Sequence, residues 1–163
     1  MCSNHIKRHY TKENLMSEKI VEIKTFSPEI YQFVCQLTQQ LAPNHEVPSE
    51  KAFRTMLDSE NAHLFVIHDD NKIPAGMLSV GIYQTPTGCK AWIEDVVVDH
   101  AYRGHGYGKM MVEHAIGFIR NAGAGKVSLT SGPARIAANH LYQTLGFEKY
   151  ETNVYKYIIH QRG

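Results

Sequence analysis

The sequence predicts an α/β fold: a mixed, mostly antiparallel central sheet with helices on both faces. Two observations carry this. Three apolar-rich stretches, 62–69, 73–83 and 90–99, are joined by the turn formers DDNK and TPTG, and turns that short link antiparallel neighbours. After Asp99 the connection changes. A glycine loop, a helical pattern of about four turns over 108–121 and the stop NAGAG lead to another strand pattern at 126–131. Strand, helix and strand in that order form a right-handed crossover, so 90–99 and 126–131 are expected to be parallel neighbours.

Each element has a local reason. KIVEIKTF (19–26) alternates apolar and polar residues and reads as the first strand. A helix follows, with Ser27 as cap, Pro28 in its first turn and an apolar face of Ile30, Phe33, Val34 and Leu37. The loop APNHEVP leads to a second amphipathic helix from about Ser49, with Phe53, Met56 and Leu57 facing inward. ARIAANHLYQTLGF gives a last helix, ended by Gly146, and NVYKYII (153–159) is expected to close the sheet.

The chain has 163 residues, enough to bury a core, and its 43% hydrophobic and 20% charged content is ordinary for a globular protein. Lys and Arg number 17 against 16 Asp and Glu. That balance lacks the basic excess of a dedicated nucleic-acid binder. Cys2, Cys35 and Cys89 form no CxxC pair, so neither a disulfide framework nor a cysteine zinc site is expected, and a reducing cytoplasm fits. None of the ten histidines sits in HExxH or another metal spacing, so no metal is expected. No run reaches membrane-spanning length. Residues 1–17 are polar and aperiodic and read as a flexible tail, with Met16 as an alternative start; 18–163 reads as a single domain.

The most informative stretch is DHAYRGHGYGKMM (99–111), with three glycines in five positions behind an arginine. A bare turn between a strand and a helix N-terminus is an anion site, because main-chain N–H groups point outward and the helix dipole adds positive potential. The common nucleotide patterns fail. GxGxxG counted from Gly104 needs glycine at Lys109, and the P-loop needs glycine at Arg103 and Ser or Thr at Met110.

What stands there, Arg103-x-x-Gly106-x-Gly108, resembles the acyl-CoA pyrophosphate loop of the GNAT N-acetyltransferase superfamily. IEDVVVDHAYRGHGYGKMM resembles that family's fourth strand, loop and third helix, and NHLYQTLGF resembles its Leu-Tyr-x-x-x-Gly-Phe signature. The resemblance covers roughly 19–159. It implies the acyl-CoA N-acyltransferase fold, with strands four and five splayed and the pantetheine arm of acetyl-CoA lying between them. In that reading the main chain of Val96 and Val98 bonds the arm. The N–H groups of Gly104, Gly106, Tyr107, Gly108 and Lys109, with His105 in the same loop, hold the pyrophosphate. Arg103 either contacts a phosphate or is a solvated surface arginine.

Acetyl transfer to an amine needs a base for the ammonium, a donor to the carbonyl oxygen and an acid for the thiolate. Glu94 and Asp95 interrupt an apolar strand, and a partly desolvated carboxylate has a raised pKa suited to a base. Strict alternation sends these two acids to opposite faces. The Ile-Glu-Asp-apolar stretch looks like the glucosamine-6-phosphate branch of the superfamily, which favours Glu94 as base, acting through a water, over Asp95. Tyr142 occupies the family's signature tyrosine and is implied to be the general acid, while the N–H near Val96 is the oxyanion donor. His140 is a weaker alternative base, and Cys35 reads as packing.

Two departures qualify the resemblance. Arg135 stands where many members carry asparagine, and Asn139 is expected to take over that contact with the CoA arm. The acid that ends strand five in the sugar-phosphate branch is replaced by Leu129-Thr130-Ser131, which weakens the case for that substrate. The resemblance therefore implies an acetyl-CoA-dependent N-acetyltransferase with a small-molecule amine acceptor, cytoplasmic, without nucleic acid or membrane, and as a possible homodimer. A non-catalytic acyl-CoA sensor and a protein lysine or N-terminal acetyltransferase are the alternatives. His45 and Glu46 lie in the loop that lines the acceptor site in this family.

Overall fold

The computed structural model describes residues 19–159; the tail expected over 1–17 lies outside the described residues. The chain divides into two compact units, one ending at Ser131 and the other beginning at Gly132.

The first unit is built on a five-stranded sheet in the order β1 (Ile20–Ile23), β2 (Ala62–His68), β3 (Pro74–Thr85), β4 (Gly88–Val98) and β5 (Val127–Ser128). The first four strands are antiparallel neighbours and β4 runs parallel to β5. The short turns and the crossover thus produce the expected mixed sheet. Strand β5 is shorter than its apolar pattern. Only Ala91–Val127 and Trp92–Ser128 pair, so among the described residues no strand lies beside Ile93–Val98 on that edge.

Helices α1 (Pro28–Leu41) and α2 (Glu50–Leu57) cover one face. Both begin where serine supplies the missing acceptor: Ile30 N–H donates to Ser27 Oγ at 3.2 Å, and Ala52 N–H to Ser49 Oγ at 3.2 Å. Their apolar sides meet the sheet in a cluster of Val34, Leu37, Phe53, Leu57, Leu64, Val66, Met77 and Val97. Helix α3 (Tyr107–Asn121) covers the other face, burying Met111, Val112, Ala115 and Ile119. The ring of Phe65 packs there against His114 at 5.0 Å and Phe118 at 5.0 Å. Gly76 marks the closest approach within the sheet: a Cβ at that position would lie 2.9 Å from the Val97 carbonyl oxygen and 3.1 Å from Met111 Cε.

The second unit holds helix α4 (Ile136–Thr144), which stops at Gly146 with φ 87°. The sixth strand expected at 153–159 is not formed. Tyr155 and Tyr157 are 89% and 90% exposed and Ile159 is 82% exposed. Strand preference reflects fit to a half-buried pleated surface, and this segment buries neither side. Among the described residues no helix is long and apolar enough to cross a membrane, and no cluster of metal-ligating side chains occurs.

Candidate functional site

Strand β4 is irregular where its two acids lie. Met77 pairs with Val97 and Ser79 with Glu94, so Leu78 alone faces two residues, Asp95 and Val96. This is a β-bulge, and Asp95 takes the left-handed conformation, φ 53°. The extra residue exchanges the faces. Ile93 pairs with Val80, whose other neighbour, His63, packs 4.7 Å from Phe118 of α3. Val97 instead joins Val34, Leu37 and Phe53 on the α1 side. Glu94 lies across from Ser79, which lies across from Leu64 of that same cluster, so Glu94 is on the α1 side too. The period of two breaks between Asp95 and Val96, the two residues that share Leu78, and so after the step from Glu94 to Asp95.

Both acids are exposed as residues. Partial loss of water around the Glu94 carboxyl nevertheless raises its pKa above the ordinary carboxylate value, and the negative Asp95 beside it acts in the same direction. A proton is therefore held on Glu94 to higher pH than on a free glutamate.

After Val98 the chain makes a one-turn 3₁₀ helix, His100–Tyr102, whose N-cap Asp99 accepts from Ala101 N–H at 2.9 Å. Arg103 then folds back, its Nε donating to the Val98 carbonyl oxygen at 3.3 Å. The main chain of Val98, expected to bond the CoA arm, and Arg103, expected either at a phosphate or in solvent, bond each other here. Gly104 and Gly106 have φ 84° and 78°, left-handed values that a side chain resists. A Cβ on either would meet nothing within 4 Å, so open space lies above the loop.

Gly106 is the N-cap of α3 and brings no side-chain acceptor to the first turn. The N–H groups that begin a helix have no carbonyl within it, and here these belong to Tyr107, Gly108 and Lys109. Tyr107 buries its side chain to 8% exposure and contributes main chain only. The His105 ring stacks over Tyr107 at 6.0 Å, with Nδ1 3.1 Å from the carbonyl oxygens of both Tyr102 and Arg103. Lys109 Nζ is 3.9 Å from Glu113 one turn on. The loop thus presents main-chain N–H groups to open space at the start of α3.

In the second unit, Tyr142 is 9% exposed and packs edge-on against Phe147 at 5.9 Å. Burial raises the pKa of its phenol, with Arg135 opposing, so the hydroxyl keeps its proton through neutral pH. Asn139 Nδ2 donates to the Gly132 carbonyl oxygen at 3.0 Å, closing the turn before α4.

The acetyltransferase (GNAT) family pattern matches residues 29–147. Over 92 residues the chain is 34% identical to an uncharacterized N-acetyltransferase, YhdJ, of Bacillus subtilis (strain 168); that stretch is 56% of this chain and 65% of YhdJ, a little under two thirds of its length. Among solved structures, an aminoglycoside acetyltransferase from an uncultured soil metagenomic sample superposes with a TM-score of 0.76 at 20% identity, covering 88% of this chain and 96% of that one. Glucosamine-6-phosphate N-acetyltransferase from Arabidopsis thaliana does so with 0.70 at 24% identity, covering 86% and 99%. At those identities the likeness to the two structures is one of fold. With the family pattern running from α1 through the glycine loop to Phe147, the chain belongs to the GNAT family of acetyltransferases.

Proposed function

We propose that the protein transfers the acetyl group of acetyl-CoA to a primary amine of a small molecule, by direct attack within a ternary complex. The observation that carries this reading is the backbone turn at Gly104–Lys109, placed directly after a strand whose second edge, among the described residues, is unpaired beyond Trp92. A diphosphate fits the cradle because unpaired N–H groups and the α3 dipole meet it with no side chain in the way. The open edge of β4 offers main-chain groups near Val96 to an extended amide-bearing arm, much as a further strand would pair.

The residues divide the chemistry as follows. Glu94 takes the proton from the incoming ammonium, through a water, and its raised pKa makes it a stronger base than a free carboxylate. The N–H near Val96 donates to the carbonyl oxygen as negative charge develops on it. Tyr142 gives its proton to the departing thiolate, which its buried phenol still holds at neutral pH. Asn139 and Arg103 assist the CoA arm and its phosphates. The names of the two structural neighbours, an aminoglycoside and an amino-sugar-phosphate acetyltransferase, support a small amine as acceptor. Free Cys35 and Cys89 fit a reducing cytoplasm.

Thermal unfolding with acetyl-CoA, CoA or ATP tests the cradle. A ligand of the native state raises the midpoint, so both CoA species should raise it, ATP should not, and Gly106→Glu should abolish the rise. Thiol release with aminoglycosides, amino-sugar phosphates and peptide amines then tests the acceptor. Release with peptides alone would replace the small-molecule reading with a protein acetyltransferase, and CoA binding without release from any amine would leave a non-catalytic binder.

A further inference from the structure

Among the described residues, Asp99 is the one charged side chain that is buried, at 9% exposure. A carboxylate taken out of water must be satisfied by donors, and this one is satisfied from α1. Gln36 Nε2 donates to Asp99 Oδ2 at 2.9 Å, and Gln40 Nε2 donates to the same oxygen at 3.0 Å. Four residues apart, the two glutamines lie on one side of the helix. Gln40 also reaches the next residue, its Oε1 accepting from His100 N–H at 3.2 Å.

The remaining bonds tie Asp99 to the turn before the glycine loop and to β3. Asp99 Oδ1 accepts from Ala101 N–H at 2.9 Å, the Asp99 carbonyl from Tyr102 N–H at 2.9 Å, and Asp99 N–H donates to the Ala75 carbonyl at 2.9 Å. The loop is thus held at one end by the buried Tyr107 and at the other by this clamp, with Gly104 and Gly106 between them. Glycine allows the loop its shape but does not enforce it. The enforcing contacts come from a helix about sixty residues earlier in the chain.

We propose that Gln36, Gln40 and Asp99 form a clamp by which α1 holds the glycine loop ready for the cofactor. Gln36 and Gln40 are then positioning residues for acetyl-CoA. This rests on the reading of the loop as the acetyl-CoA cradle. Losing the clamp lets 100–106 sample other conformations, and the cost falls on binding, since a site that must be ordered by its ligand binds it more weakly.

The test compares Gln36→Leu, Gln40→Leu and their double variant with Gln39→Leu, an exposed position on the same helix. Calorimetry gives the Kd for CoA, and kinetics separate the two KM values from kcat. The double variant should raise the CoA Kd and the acetyl-CoA KM about tenfold, leaving kcat at saturation and the amine KM within about twofold. Gln40→Leu should exceed Gln36→Leu because it also frees His100 N–H. Gln39→Leu should match wild type. A double variant that melts earlier yet binds CoA like Gln39→Leu overturns the proposal, since the clamp would then serve the fold alone. So does a loss that falls equally on kcat and the amine KM. Failure of the wild-type protein to bind CoA is a separate result, which removes the cofactor reading and the clamp's role with it.

Discussion

Ile93 and Val97, four residues apart on one strand, face opposite sides of the sheet: Ile93 lies in register with Val80 and His63 on the α3 side, and Val97 packs with Leu37 on the α1 side. In an unbroken strand they would share a face. The bulge at Asp95 and Val96 separates them, and Glu94, one residue after Ile93, lies on the α1 side next to a stretch of β4 whose outer edge carries no strand among the described residues. The strand that begins as core thus becomes, within three residues, the wall of the candidate site.

The bulge itself can be tested by backbone preference. Asp95 at φ 53° tolerates the left-handed region better than a branched residue does. Asp95→Val should cost about 1–2 kcal/mol in urea unfolding, whereas Asp95→Gly should be neutral or slightly stabilising. Equal stability of the two variants would show that this conformation is not held in solution.

The charge of Asp95 should also be legible in the pH profile. With Glu94 as the proposed base, kcat/KM should rise with pH through a value above the ordinary carboxylate range. Asp95→Asn removes a like charge and should move that rise to lower pH. Glu94→Gln should cost about 10²–10⁴-fold and flatten the rise. For stability the sign is opposite to that of a salt-bridged acid. A raised folded-state pKa stabilises below the unfolded pKa, and that contribution is lost as pH rises through the folded value, so Glu94→Gln should flatten this dependence as well.

Tyr142→Phe keeps the ring against Phe147 and removes only the hydroxyl, the proposed proton donor. The expected outcome is a fall in kcat of about 10²-fold with little change in acetyl-CoA KM. A kcat within twofold of wild type would leave Tyr142 as packing and assign leaving-group protonation elsewhere.

Gly76→Ala tests the closest approach in the sheet. Met111 Cε can yield, but the Val97 carbonyl 2.9 Å away is main chain and moves only with β4. A loss of about 1–3 kcal/mol in chemical unfolding is expected.

Much of the fold is local and therefore readable before any coordinates. Ser27, Pro28 and Ser49 mark the starts of α1 and α2, and both caps form their bonds. The tight turns imply the meander, and the glycines before α3 imply a bare helix N-terminus, which Gly106 provides. The expected strand at 153–159 fails for a reason no pattern contains. Its tyrosines and aliphatic side chains supply β preference, but a strand also needs a surface to cover, and these side chains stay exposed.

By itself, then, the sequence determined the helices, the strands that do form, the meander with its parallel crossover, and the bare glycine turn before α3. All of these depend on residues within a few positions of each other. Only the tertiary structure decided where β4 breaks its alternation, how far β5 follows it, and that Gln36 and Gln40 of α1 reach Asp99. These depend on contacts between residues far apart in the chain, and such contacts are selected by how side chains pack and pair once the elements meet.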